Sequence, residues 1–134
     1  MDIAKYAGYF HDGYVNGISH IGNNISFSLE SSVIEDLDEI LDKNYLSDSN
    51  SFKGVLKINS IKYFKVGDEK YTGIFKMEYD DGDILDLEIK NNRVFLLIEW
   101  KNFPPKSSKT DVSKIEIEAE KIWWENIPDL ESQY

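Results

Sequence analysis

Cysteine is absent from this chain, arginine occurs once, at Arg93, and histidine twice, at His11 and His20. Without thiols there is no disulfide framework and no thiolate metal site, and the composition fits a reducing, cytoplasmic setting. A single arginine cannot form the guanidinium cluster that clamps phosphate. A formal net charge of −10 also leaves no basic face for a nucleic-acid backbone, so no nucleic-acid partner is expected. Long apolar runs are missing as well. No segment approaches the ~20 residues of a membrane-spanning helix. Met1-Asp2-Ile3-Ala4-Lys5-Tyr6 lacks the basic region and apolar stretch of a signal peptide, so no membrane association is expected. Nor does any P-loop, dinucleotide fingerprint or G-x-S-x-G occur.

What is present suits folding. The 134 residues are 41% hydrophobic and 13% aromatic, enough for one core in one domain spanning 1–134, with a short loop at 101–112 and a tail at 129–134. The expected fold is mainly β (α+β): an antiparallel meander of about six to seven strands forming a curved sheet or half-barrel, with one short acidic helix.

The stretch from Tyr71 to Trp100 organises this reading, because it predicts three antiparallel strands. Asp80-Asp81-Gly82 reads as a three-residue loop with Gly82 left-handed. Tyr79 then faces Asp83, Met77 faces Leu85, Phe75 faces Leu87 and Gly73 faces Ile89, whereas a two-residue loop would set apolar side chains opposite acids. A two-residue turn at Asn91-Asn92 pairs Ile89 with Val94, Leu87 with Leu96, and Leu85 with Ile98. The core face is then Phe75, Met77, Leu85, Leu87, Ile89, Val94, Leu96, Ile98 and Trp100. The opposite face carries Lys76, Glu78, Asp86, Glu88 and Glu99, together with Ile74, Ile84, Phe95 and Leu97. This far face therefore needs a cover.

Elsewhere, residues 1 to 13 predict a short helix or edge segment tied to the core by Tyr6, Tyr9 and Phe10. Ile25, Phe27 and Leu29 alternate in a strand that a Gly22-Asn23-Asn24 turn sets against Ile18 and Ile21. From Ser31 to Lys43, Val33, Leu37, Ile40 and Leu41 recur at helical spacing among acids, which predicts an amphipathic helix over the Phe95–Leu97 face; an irregular acidic loop is the competing reading. Lys53 to Lys65 is a strand with a phase change near Asn59-Ser60, turned by Val66-Gly67-Asp68-Glu69. Ser113 to Asn126 alternates Ile115, Ile117 and Ala119 against Glu116, Glu118 and Glu120. That pattern favours a strand, although Ile115, Ala119, Ile122 and Trp123 also suit a helix.

The candidate chemistry is sparse. His11-Asp12 is the pair found in metal-dependent phosphohydrolases, but only His20 could join it, and a surface turn accounts for it. Asp80, Asp81 and Asp83 resemble a calcium loop until the glycine is placed at the sixth position, which puts Met77 and Tyr79 where ligands belong. Asp86 and Glu88 share one strand face in the manner of paired carboxylates for glycoside hydrolysis, a pairing common in acidic chains. No cofactor and no metal is expected. The features that could serve binding are the acidic segment Glu35, Asp36, Asp38 and Glu39, the row Glu116, Glu118 and Glu120, and the pair Trp123-Trp124. On a strand, that pair puts its indoles on opposite faces, with core packing or an exposed anchor as the two outcomes.

Phe10-His11-Asp12-Gly13, a strand, the Gly22-Asn23-Asn24 turn and the Ile25–Leu29 strand together resemble the N-terminal hairpin of small bacterial immunity-type proteins of polymorphic toxin systems and their uncharacterised relatives. The likeness covers about the first quarter of the chain, and no residue-level site carries over. It implies a small, acidic, cytoplasmic binder that blocks a toxin's active site. The resulting expectation is a non-enzymatic module that presents acidic side chains to a basic protein partner. The alternative is a β-barrel-like protein holding a small ligand, or a hydrolase.

Overall fold

The computed structural model describes residues 1–40, 43–106 and 110–128. A 3-10 helix, Ile3–Phe10, precedes β1 (Tyr14–Ile21) and β2 (Asn24–Glu30). After an irregular segment come β3 (Lys53–Val66), β4 (Glu69–Lys70), β5 (Asp81–Lys90), β6 (Arg93–Lys101) and β7 (Asp111–Asn126). The strand order is β2-β1-β5-β6-β7-β3-β4, with a further β2–β3 pairing, and every pairing is antiparallel. Six strands thus pair in a ring, and β4 is a two-residue extension folded back from β3. The expectation of a mainly antiparallel β protein holds, and among the described residues one short helix, Ile3–Phe10, stands beside lone 3-10 turns; it carries no acidic residue, unlike the acidic helix expected.

The ring is joined unevenly. β3 and β7 pair along most of their length, from Gly54↔Asn126 to Val66↔Ile115. By contrast β1 meets β5 at Tyr14↔Asp83 and Val15↔Gly82 alone. Beside that junction Asp12 N–H donates to the Ile84 carbonyl at 2.9 Å and Ile84 N–H to the Gly13 carbonyl at 2.8 Å. The N-terminal helix packs against β5. Asp2 caps it by accepting from Ala4 N–H, and Ile3, Tyr6, Ala7 and Phe10 point into the core. The interior is filled by Phe10, Phe27, Phe52, Leu56, Ile84, Ile98 and Ile115, all fully buried, with Trp124 set edge-on to Phe10 at 5.5 Å.

Several local expectations are corrected. Residues 71–80 form no strand, so the first of the three strands expected between Tyr71 and Trp100 is missing. Their burial still alternates, with Phe75 buried, Met77 and Tyr79 half-buried, and Lys76 and Glu78 exposed. Period-two patterning fixes which side chains turn inward and says nothing of a ladder partner. Asp80-Asp81-Gly82 is accordingly no hairpin loop, and Asp81 and Gly82 open β5 opposite Lys101 and Trp100. Glycine is required at 82 for space: a Cβ there would lie 2.6 Å from the Trp100 ring.

The second turn is as expected. Asn91 and Asn92 both have positive φ, at 53° and 60°, and Ile89 faces Val94 while Leu87 faces Leu96. A bulge between Ile84 and Asp86 then puts Ile84, not Leu85, opposite Ile98. Ile84 becomes fully buried and Leu85 only half-buried, the reverse of the assignment by strict alternation. In the first hairpin Ile18 faces Phe27 with a bulge at Val15/Gly17, whereas Ile21 pairs with Asn24 and is 76% exposed. The phase change in β3 falls where expected, with Ser60 at φ 57° and a register shift between Ile61 and Tyr63.

The amphipathic helix from Ser31 to Lys43 gives way to the acidic loop, with single 3-10 turns at Leu37–Glu39 and Lys43–Tyr45; Leu41 and Asp42 lie outside the described residues. The backbone donors here reach sideways instead of up a helix: Ser31 to Phe52, Ser32 to Tyr9 and Ile34 to Asn50. Ile34 and Ile40 are buried while Val33 is 63% exposed, a spacing no helical stripe produces. The segment packs beside the N-terminal helix. It is not the expected cover for Phe95 and Leu97. Ser113–Asn126 lies within β7, which settles that segment as strand.

Candidate functional site

The outer face of β5–β6–β7 is assembled by register. Across the three strands the rows run Lys90, Arg93, Glu118; then Glu88, Phe95, Glu116; then Asp86, Leu97, Lys114; then Asp83, Glu99, Val112. Strict alternation along β6 buries Val94, Leu96, Ile98 and Trp100 and turns Phe95 and Leu97 outward, half-buried. Phe95 therefore stands between two carboxylates, and Leu97 between a carboxylate and an ammonium. Asp86, Glu88, Phe95, Leu97 and Lys114 line one open depression with Leu96 and Ile115, and Glu116 stands beside Phe95 outside it.

Ion pairing on this face is partial. Arg93 approaches Glu116 at 3.6 Å and Glu118 at 3.9 Å, so part of the acidic row on β7 is compensated. Lys101 donates to Asp83 at 2.8 Å and lies 4.0 Å from Asp81; the hydrogen bond to Asp83 raises the Lys101 pKa above its ordinary value. Among the described residues Asp86, Glu88, Glu99, Lys90 and Lys114 take part in no ion pair.

The other residues singled out from the sequence are dispersed. Glu120 is exposed beyond the point where β6 ends against Glu118. Trp123 and Trp124 do point to opposite sides: Trp124 is core, and Trp123 is half-buried on the outer surface with the Lys121 ammonium 4.6 Å from its ring centroid. Trp123 is seven residues further along β7 than Glu116, roughly 23 Å at the rise of a strand. Glu35, Asp36, Asp38 and Glu39 sit on the loop beside the N-terminal helix. There Asp36 accepts from Asp38 N–H, Glu39 accepts from Tyr9 O–H at 3.1 Å, and Asp38 lies 3.8 Å from Lys43. Burial, then the hydrogen bond to Glu39, raises the Tyr9 pKa. This segment thus spends much of its charge internally.

Catalytic arrangements do not assemble. His11, in the turn after the N-terminal helix, donates from Nδ1 to the Leu85 carbonyl and its Nε2 lies 3.6 Å from Asp12, while His20 is on β1 between two backbone partners. Asp80 accepts from Lys106 at 2.6 Å and from Phe103 N–H at 2.8 Å, which together hold its pKa below the ordinary value. With Asp83 on Lys101 as well, the triplet that resembled a calcium loop is committed to lysines. Among the described residues no three metal-ligating side chains cluster, every buried side-chain polar atom has a partner, and no helix is long and apolar enough to cross a membrane.

Phe95 and Leu97 were legible as a face in need of cover, and Asp86 and Glu88 as a carboxylate pair. Their coincidence with Glu116 was not, because it depends on β6 pairing with β7 across the intervening loop. No family model, no curated protein and no solved structure matches this chain.

Proposed function

We propose that the chain is a non-enzymatic, cytoplasmic protein-binding module whose contact surface is the outer face of β5–β6–β7. Its partner is a basic protein segment carrying at least one apolar side chain. The observation that carries this reading is the uncovered Phe95–Leu97 pair with the unpaired carboxylates Asp86 and Glu88 and the half-compensated Glu116 around it, against the single ammonium of Lys114 at the Leu97 end. The apolar pair supplies area that gains by leaving water. The carboxylates favour a cationic partner and speed encounter more than they add affinity. An immunity-like inhibitor is one form such a binder takes, as the N-terminal hairpin's resemblance implies. The filled interior favours this reading over a ligand-holding barrel.

The test uses an alternating Lys–Leu peptide titrated into the isotopically labelled protein. Amide shifts should concentrate at Asp86, Glu88, Phe95, Leu97 and Glu116, and binding should weaken as salt rises. Phe95→Ser should cost about 2 kcal/mol of binding, about 30-fold in affinity, if Phe95 is the anchor. Shifts centred on Trp123 or on the Glu35–Glu39 loop, or equal binding of a Glu–Leu peptide, would reject this face.

A further inference from the structure

Residues 71–80 cross from β4 to β5 as a strap outside any ladder. Its ends are tied by Tyr71 N–H to the Phe64 carbonyl at 2.9 Å and by Asp80 N–H to Asn102 Oδ1 at 3.0 Å. Toward its far end Tyr79 O–H donates to Asp111 at 3.2 Å and its ring stacks on Trp100 at 5.9 Å, and at its centre Phe75 N–H donates to His20 Nδ1 at 2.8 Å. The other ring nitrogen, Nε2, lies 3.1 Å from the Gly22 carbonyl. An amide N–H only donates and a carbonyl only accepts, so these two partners fix His20 as the neutral tautomer with its proton on Nε2. Beneath the strap lies an aromatic cluster: Phe64 to Phe75 at 5.7 Å, Phe64 to Tyr71 at 5.3 Å, Tyr71 to Phe75 at 5.3 Å, and His20 itself to Phe64 at 5.8 Å.

We propose that His20 is a proton-sensitive latch: neutral, it holds the strap closed over the Phe64–Phe75 cluster, and protonation at Nδ1 releases it. A proton on Nδ1 would point at the Phe75 N–H, setting donor against donor, so the bond exists only while the ring is neutral. The latch is therefore closed while the ring is neutral and opens when acid protonates it.

The ionisable groups lining the depression at His20 are Lys62 and Tyr63 of β3, Lys70 of β4 and Tyr71 of the strap. No carboxylate is among them to hold an imidazolium in place. His11 behaves oppositely: its Nδ1 faces a carbonyl and its Nε2 faces Asp12, so protonation keeps both contacts. Opening would bare Phe64 and Phe75, now 6% and 8% exposed, next to Ile74, the chain neighbour of Phe75, already 56% exposed. That end of the ring would become an apolar surface in acid.

The experiment is an NMR titration of the intact chain from about pH 7.5 to 5, following the His20 ring and the Phe75 amide, with an apolar dye reporting exposed surface. The Phe75 amide should lose its hydrogen-bonded shift along the same curve as His20 protonation, with dye fluorescence rising in step and the far-UV circular dichroism retained. His20→Gln, whose carbonyl can accept from Phe75 without titrating, should remove the response, and His11→Gln should leave it intact. A Phe75 amide that stays put while His20 protonates would overturn the latch in the unmodified protein, whatever the variants do. An undiminished dye response in His20→Gln would also overturn it.

Discussion

Trp100 lies directly over Gly82, its ring atoms occupying the space a side chain there would need. Gly82→Ala should destabilise by roughly 1–3 kcal/mol through overpacking, read as a lower denaturant midpoint. Asp80 shows the electrostatic counterpart. Because its carboxyl is held below the ordinary aspartate value, its stabilising contribution is present above about pH 3.9 and is lost as pH falls through the lower folded value. Asp80→Asn should lower stability at neutral pH and flatten the acid limb of a stability–pH curve; an unchanged limb would show that Lys106 and Phe103 N–H are not its determinants. Residue identity alone would have misassigned both positions. Asp-Gly is a strong turn signal, and nothing local reveals that a tryptophan eighteen positions later needs the glycine's missing side chain.

At the level of elements, the N-terminal helix works as a plug against β5, and Phe10 is its anchor. Phe10→Ala should cost about 3–5 kcal/mol and alter Trp124 fluorescence, since the two rings meet edge-on. Thermal melts of the variant beside the parent check the first, and emission spectra the second. Strands with clean alternation, such as Ile25–Leu29 and Arg93–Lys101, were readable from sequence, as was the Asn91-Asn92 turn. Two segments were not. The 71–80 strap has strand patterning but gives the Phe75 N–H to His20, and Gly73 at φ 93° departs from the extended conformation. The Ser31–Ile40 segment has apparent helical spacing, but its donors are taken by Tyr9, Asn50 and Phe52. In each case a tertiary hydrogen bond outweighed the local pattern.

Across the whole molecule, the carboxylate excess is spread unevenly. Lysines answer the acids at Asp80, Asp81 and Asp83, and Arg93 those at Glu116 and Glu118, so the uncompensated charge beside Phe95 and Leu97 is a local property that the net charge of −10 does not reveal. The candidate site was for this reason only half readable: the apolar pair shows in the alternation of β6, while its acidic surroundings arise from two neighbours in the sheet.

The junction of β1 with β5 has a kinetic meaning. Five of the six joints in the ring are long ladders, and the sixth is a clasp of two residue pairs helped by Asp12 and Gly13. A sheet so built can assemble as a strip and close last, and its least costly native excursion is to unclasp. Unclasping would part β1, still laddered to β2, from β5 and bare the backbone of β5 as an unprotected edge, the geometry from which strands are exchanged between copies or fibres are templated. The plug formed by Ile3–Phe10 therefore guards against misassembly as well as filling the core.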